Sequence, residues 1–266
     1  MKRRLPSEFL YQVAALLISA VVVHTAYVGV VRPAASAVLQ KQRELVAADP
    51  DYAPERSVYV VLRDLEQETC FILMLWALAI MGYKGVAVWQ ERGLLERRLI
   101  RVPEGVRILP EDWRTYARDI GSLSEREQQG IVPRCLLAAL HRFAATKDVF
   151  EVASTVHAVC ESEGERLESE LSMIRYIAWA IPSIGFIGTV RGIGEALGLA
   201  HRAMEGDITG VTESLGVAFN STFVALVLSL VLMFLVHQLQ LQQERLVMDT
   251  ETYCDRDLIR NLAVRS

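Results

Sequence analysis

At 266 residues and 29.8 kDa the chain is long enough for one or two soluble domains. A hydrophobic share of 52% and a mean hydropathy of +0.26 beside 23% charged residues nevertheless require apolar and charged stretches to be segregated along it. The net charge of −4 and pI of 5.8, with no dense Lys/Arg run, exclude a nucleic-acid footprint, and eight prolines and sixteen glycines without a low-complexity tract exclude a large disordered region.

A hydrocarbon core of about 30 Å needs roughly 20 apolar residues as helix, and four windows meet or approach that length. The first, Phe9 to Val31, carries no formal charge. Its basic start at Lys2, Arg3 and Arg4 and the triplet Ala35-Ser36-Ala37 resemble a secretory signal. The apolar stretch exceeds the roughly 7 to 15 residues of a signal core, so a spanning helix is expected instead. Residues 32–69 follow, with acids outnumbering bases, and Pro33, Pro50 and Pro54 divide them into two short helical pieces around a turn at Ala48 to Pro54.

The second window, Cys70 to Trp89, has one charge, Lys84, placed where a long side chain can snorkel to the interface. A charged segment then runs to residue 172, with breaks at Pro103, Pro110 and Pro133 and capping-box patterns at Ser124-x-x-Glu127 and Asp148-x-x-Glu151. No proline appears between Asp148 and Pro182, so one helix is expected to run from Val149 into the third window. The charge run Glu161 to Glu170 reads as a solvated face. The third window extends from about Ile174 to Ala200, and its uncharged centre, Tyr176 to Val190, ends at Arg191 and Glu195. The fourth is uncharged from Ser214 to Gln243 and is too long for the bilayer; Leu239, Leu246 and Tyr253 continue it at seven-residue spacing. Cys70, Cys135, Cys160 and Cys254 lie far apart, with no disulfide or zinc spacing among them.

Lys/Arg bias orients the spans. Lys2, Arg3 and Arg4, and Arg92, Arg97, Arg98 and Arg101, mark cytoplasmic sides. The chain is therefore read as an all-α integral membrane protein with four transmembrane helices, the third and fourth extending into a cytoplasmic helical bundle. Its parts are a cytoplasmic N-terminus and first span (1–31), an extracytoplasmic loop (32–69), the second span (70–90), a cytoplasmic helical domain (91–172), the two inner spans (173–240) and a cytoplasmic C-terminal helix (241–266). Both termini are expected in the cytoplasm.

Pro182, Gly185, Thr189, Gly192 and Ala196 form one stripe of small or kinking residues, and Ala218, Thr222, Ala225 and Ser229 form another. Such stripes serve either close helix packing in lipid or a polar pathway. With no complementary polar helix evident in the same chain, the first stripe is expected to face a shared axis in a ring. Arg191 and Glu195 read as an interfacial ion pair or as charges of an outer vestibule. His24 reads as a hydrogen-bonded packing residue rather than a proton relay, and Lys84 and His237 as inner-interface residues.

The segment Ile181-Pro182-Ser183-Ile184-Gly185-Phe186-Ile187-Gly188-Thr189-Val190-Arg191-Gly192-Ile193, followed by Leu215-Gly216-Val217-Ala218-Phe219-Asn220-Ser221-Thr222-Phe223-Val224-Ala225-Leu226, resembles the MotA/TolQ/ExbB proton-channel family over Met173 to Gln240. The resemblance implies an inner-membrane, stator-type proton-channel subunit. It also implies a pentamer around two copies of a single-span MotB/TolR/ExbD-like partner, whose intramembrane aspartate carries the ion. H⁺ is favoured over Na⁺, and no cofactor or metal is implied. By position, Thr189 and Thr222 match the family's paired threonines, and Pro182 matches the kinking proline of MotA-like members. The ion pathway is thus expected at Thr189, Thr222, Ser229, Asn220 and Ser221, with Pro182, Gly185, Gly188 and Gly192 providing the kink and close packing. The glutamate that ExbB and TolQ carry five residues before the last-span threonine is Val217 here.

No Asp or Glu lies within the apolar centres of the spans, so a partner must supply a titratable carboxylate, and threonine hydroxyls can donate to its charged form or accept from its neutral form. No enzymatic motif stands out. The competing expectation is a non-conducting scaffold or sensor of the same fold that signals through its cytoplasmic helices.

Overall fold

A computed structural model describes residues 7–48, 57–97, 99–100, 102–103 and 106–264. The turn expected after Ala48, with Pro50 and Pro54, lies outside the described residues, as do Lys2, Arg3, Arg4, Arg98 and Arg101. The described chain is all helix and connections; its one departure is an isolated bridge pairing Ile108 with Leu262. Helix α1 (Ser7–Ala26) passes through a π turn (Tyr27–Val31) into α2 (Arg32–Ala48), and α3 (Val58–Leu62) and α4 (Leu65–Glu96) follow. Then come α5 (Trp113–Gly121), α6 (Glu125–Gln128), α7 (Ile131–Thr146), α8 (Val149–Glu170), α9 (Ser172–Gly198), α10 (Ala200–Met204) and α11 (Thr209–Tyr253). Among the described residues four helical stretches are long and apolar enough to cross a membrane: Glu8–Val46, Leu65–Glu96, Val149–Gly198 and Thr209–Asn261. The third is interrupted at Leu171, whose N–H reaches back only three residues, to the Glu168 carbonyl, and tightens that turn.

The chain divides into two compact units. The first comprises residues 1–81 and 173–236. Within it α9 lies directly on α11, because glycines remove the side chains that would hold the backbones apart. A Cβ built on Gly185 would stand 2.4 Å from the Ala225 Cβ, one on Gly188 2.5 Å from the Ser221 Cβ, and one on Gly192 2.7 Å from the Ser214 carbonyl. The turn before α11 uses Gly206 at φ +98°, and Asp207 then caps the helix by accepting from the Thr209 N–H at 3.1 Å.

The second unit comprises residues 82–172 and 237–266. Its core gathers Ile108, Ile120, Leu136, Leu140, Phe143, Val152 and Val156 around Tyr253 and Leu258. The seven-residue repeat is realised here: Leu246 and Tyr253 are buried, and the Tyr253 hydroxyl accepts from the Leu99 and Ile100 N–H groups at 3.0 and 3.4 Å. Ser124 and Glu127 form a reciprocal capping box. The Ser124 hydroxyl and N–H, both donating to the Glu127 carboxyl, hold it below the usual carboxylate range. The second capping pattern is half realised, since Asp148 caps Phe150 N–H at 2.8 Å while Glu151 turns to Arg142 at 2.9 Å.

Three charged or thiol features of this unit were not visible in the sequence pattern. Lys84 is buried, and its ammonium donates to Glu170 at 2.7 Å. Glu163, within the run read as a solvated face, is 3% exposed and paired with Arg134 and Arg166. The sequence-distant Cys135, Cys160 and Cys254 converge in the core, with Sγ separations from Cys135 of 3.8 and 3.5 Å, all as free thiols.

Candidate ion-pathway site

The site is built where α9 and α11 are closest. Thr189 of α9 and Thr222 of α11 are half-buried, and their hydroxyls are hydrogen-bonded to each other. The same oxygens have backbone alternatives: Thr189 can donate to the Ala218 carbonyl at 3.0 Å or the Gly185 carbonyl at 3.3 Å, and Thr222 to the Gly185 carbonyl at 3.1 Å. A hydroxyl has one proton and two lone pairs, so each can hand its hydrogen bond from carbonyl to neighbour by rotating about a single bond.

Pro182 sits inside α9 and lacks the N–H that would bond the Ala178 carbonyl one turn earlier. Ser229 of α11 supplies the missing donor, its hydroxyl reaching the Ala178 oxygen at 2.9 Å. The proline and the second helix's serine are therefore one device, satisfying a backbone group that lipid could not.

The remaining candidates divide. Ser221 is fully buried beside Gly188; its hydroxyl donates to the Val217 carbonyl at 2.8 Å and accepts from Gln67 Nε2 at 3.4 Å. Asn220 is half-buried and, two residues from Thr222, stands about 200° around α11 from it. Arg191 does bond Glu195, at 3.1 Å, but its main partner is Glu66 of α4, held by two nitrogens at 2.7 and 2.9 Å. His24 bonds Glu68 at 2.6 Å.

One expectation is corrected. The small stripe of α9 does find a complementary surface in its own chain, because Gly185, Gly188 and Gly192 are covered by Ala225, Ser221 and Ala218 of α11. The exposed side of these helices carries Phe186, Val190, Ile193, Phe219, Phe223 and Leu226. Sequence reasoning missed Glu66, Gln67 and Glu68 altogether. They lie just before the second apolar window, and only the alternation of charge and amide ahead of Cys70 could have singled them out.

Four helices long and apolar enough to span, two of them in glycine-mediated contact along a hydroxyl-lined seam, define a multi-pass helical membrane protein. Residues 127–252 match the MotA/TolQ/ExbB proton channel family, and the chain carries a domain of that family there. The match takes in α7 and α8 as well as the two inner spans, more than the motifs alone covered. No curated protein and no solved structure matches the chain. The family implies proton-channel activity in a motor-type membrane complex that works with a partner protein, and it is not a class of enzymes.

Proposed function

We propose that this chain is the channel subunit of a proton-driven, stator-type complex of the bacterial inner membrane, in which the Thr189–Thr222 seam serves a carboxylate brought by a single-span partner. The observation that carries the reading is the paired hydroxyls, each with two or more alternative acceptors and each half-buried rather than sealed. A carboxylate alternating between charged and neutral forms requires neighbours that donate in one state and accept in the other. With Val217 at the position of the ExbB and TolQ glutamate, the titrating group belongs to the partner. Five copies around two partner helices, both termini in the cytoplasm and H⁺ as the ion complete the reading. Ser229 and Pro182 fix the seam's geometry, and Arg191 and Glu195 flank its extracytoplasmic end.

The native complex, purified from its own membrane and placed in proteoliposomes with a pH-sensitive dye, tests this. Thr189→Val with Thr222→Val keeps shape and removes the hydroxyls; proton flux is expected to fall about tenfold or more with assembly intact, equivalent to at least about 1.4 kcal/mol on the barrier. Phe223→Leu, on the exposed apolar side, is expected to stay near wild type. Val217 favours one rival, a non-conducting scaffold or sensor. An assembled double variant indistinguishable from wild type, or no flux in either, would establish that rival in place of the channel.

A further inference from the structure

The start of α4 sends three successive side chains in different directions, to four other helices, as the turn of about 100° per residue dictates. Glu66 reaches Arg191 of α9, Gln67 reaches Ser221 of α11, and Glu68 bonds His24 of α1 at 2.6 Å and Arg32 of α2 at 2.5 Å. These groups are deep: Gln67 is 0% exposed and Glu68 4%. Three buried oxygens there have no partner among the described residues, the Tyr27 hydroxyl, Asp64 Oδ2 and Gln67 Oε1. Tyr27 belongs to the π turn between α1 and α2, packs near Phe71 of α4, and lies within electrostatic reach of Glu68, Arg32 and Asp64.

The chemistry of the three oxygens is complementary. The Tyr27 hydroxyl has a proton to give, whereas the carboxylate and amide oxygens can only accept. A species that both donates and accepts satisfies all of them, and water is the smallest such species; buried water characteristically serves otherwise unpartnered polar groups. Gln67 also touches Ser221, the residue next to Thr222, so its amide joins the start of α4 to the seam. The charged groups facing this region are His24, Arg32, Arg63, Asp64, Glu66, Glu68 and Arg191.

We propose that the start of α4, with Tyr27, encloses internal water that reaches the Thr189–Thr222 seam through Gln67 and Ser221, making Gln67 a positioning residue for a hydrated branch of the ion pathway. Its link to transport rests on the conducting reading above; the presence of the water does not.

Hydroxyl-radical footprinting of the full chain in lipid nanodiscs tests the water directly, since radicals formed from internal water oxidise adjacent side chains that bulk solvent does not touch. Tyr27 is 4% exposed and Phe143, in the apolar core of the second unit, 0%. Tyr27 is expected to be oxidised several-fold faster than Phe143, and Gln67→Leu or Asp64→Leu to remove that excess. Met74, also buried on α4, keeps its wild-type rate in a variant that remains folded. Where it does not, Gln67→Met, unbranched and of similar volume, takes the place of leucine. Tyr27 oxidised no faster than Phe143 overturns the proposal whatever the complex conducts, and so does an excess unchanged in folded variants. If the excess depends on Gln67 but wild-type complex carries no protons, the hydrated turn stands and only the conducting reading falls.

Discussion

Glu163 shows how strongly a residue's surroundings can override its sequence context. It lies in a run of charges, yet Arg134 from α7 and Arg166 from its own helix hold it at 3% exposure. Both arginines are about half exposed, so either one alone can keep the carboxylate compensated. Arg134→Ala and Arg166→Ala singly are therefore expected to cost about 1 kcal/mol or less, near the range of exposed pairs. The double variant leaves a buried carboxylate without a cation and is expected to cost about 3–5 kcal/mol. Chemical denaturation of the full chain, followed by a probe in the second unit, measures the cycle; strict additivity would show Glu163 to be solvated after all. Nothing in the local pattern announced this burial, because the deciding partner, Arg134, is 29 residues away and on another helix.

Helix α9 depends on α11 for a hydrogen bond its own sequence forbids. Ser229→Ala removes the donor to Ala178 and is expected to destabilise the helix pair by about 1 kcal/mol, within the range for interhelical polar contacts in membranes. In a Pro182→Ala background the backbone N–H returns and can bond Ala178 itself, so the same Ser229→Ala change is expected to be nearly neutral. Steric-trapping measurements on the four variants give the coupling; equal costs in both backgrounds would mean that Ser229 acts by packing. The existence and order of the spans were legible because twenty-residue apolar windows have one physical explanation, and so were the paired threonines and the glycines, which fall at helical spacing. Which surface each stripe would meet was not legible. Periodicity places Gly185, Gly188 and Gly192 on one face, but whether that face meets α11 or another subunit is decided by residues of a second helix, Ser214 to Ala225.

At the scale of the whole molecule the proposed topology puts the α10–α11 turn outside and the α5–α6 connection in the cytoplasm, by the bias of basic residues. Cysteines introduced at Asp207 and Ser122, both exposed, are expected to react with a membrane-impermeant maleimide from the outside and only after permeabilisation, respectively. Reaction of the Ser122→Cys chain in sealed cells would invert the arrangement. The convergence of Cys135, Cys160 and Cys254 has a practical sequel. All four native thiols, Cys70 included, are at most 1% exposed. The Cys135 hydrogen bond with Cys160 favours its thiolate, but its bond with Cys254 and its burial outweigh that and push the thiol up. Native sulfurs are thus shielded, so introduced cysteines can be read against an otherwise unaltered chain. The trio is also a built-in clock: three sulfurs from α7, α8 and the turn just past α11 become alkylatable together only when the second unit opens, so the rate at which they are captured times its breathing in the living membrane without any label being added.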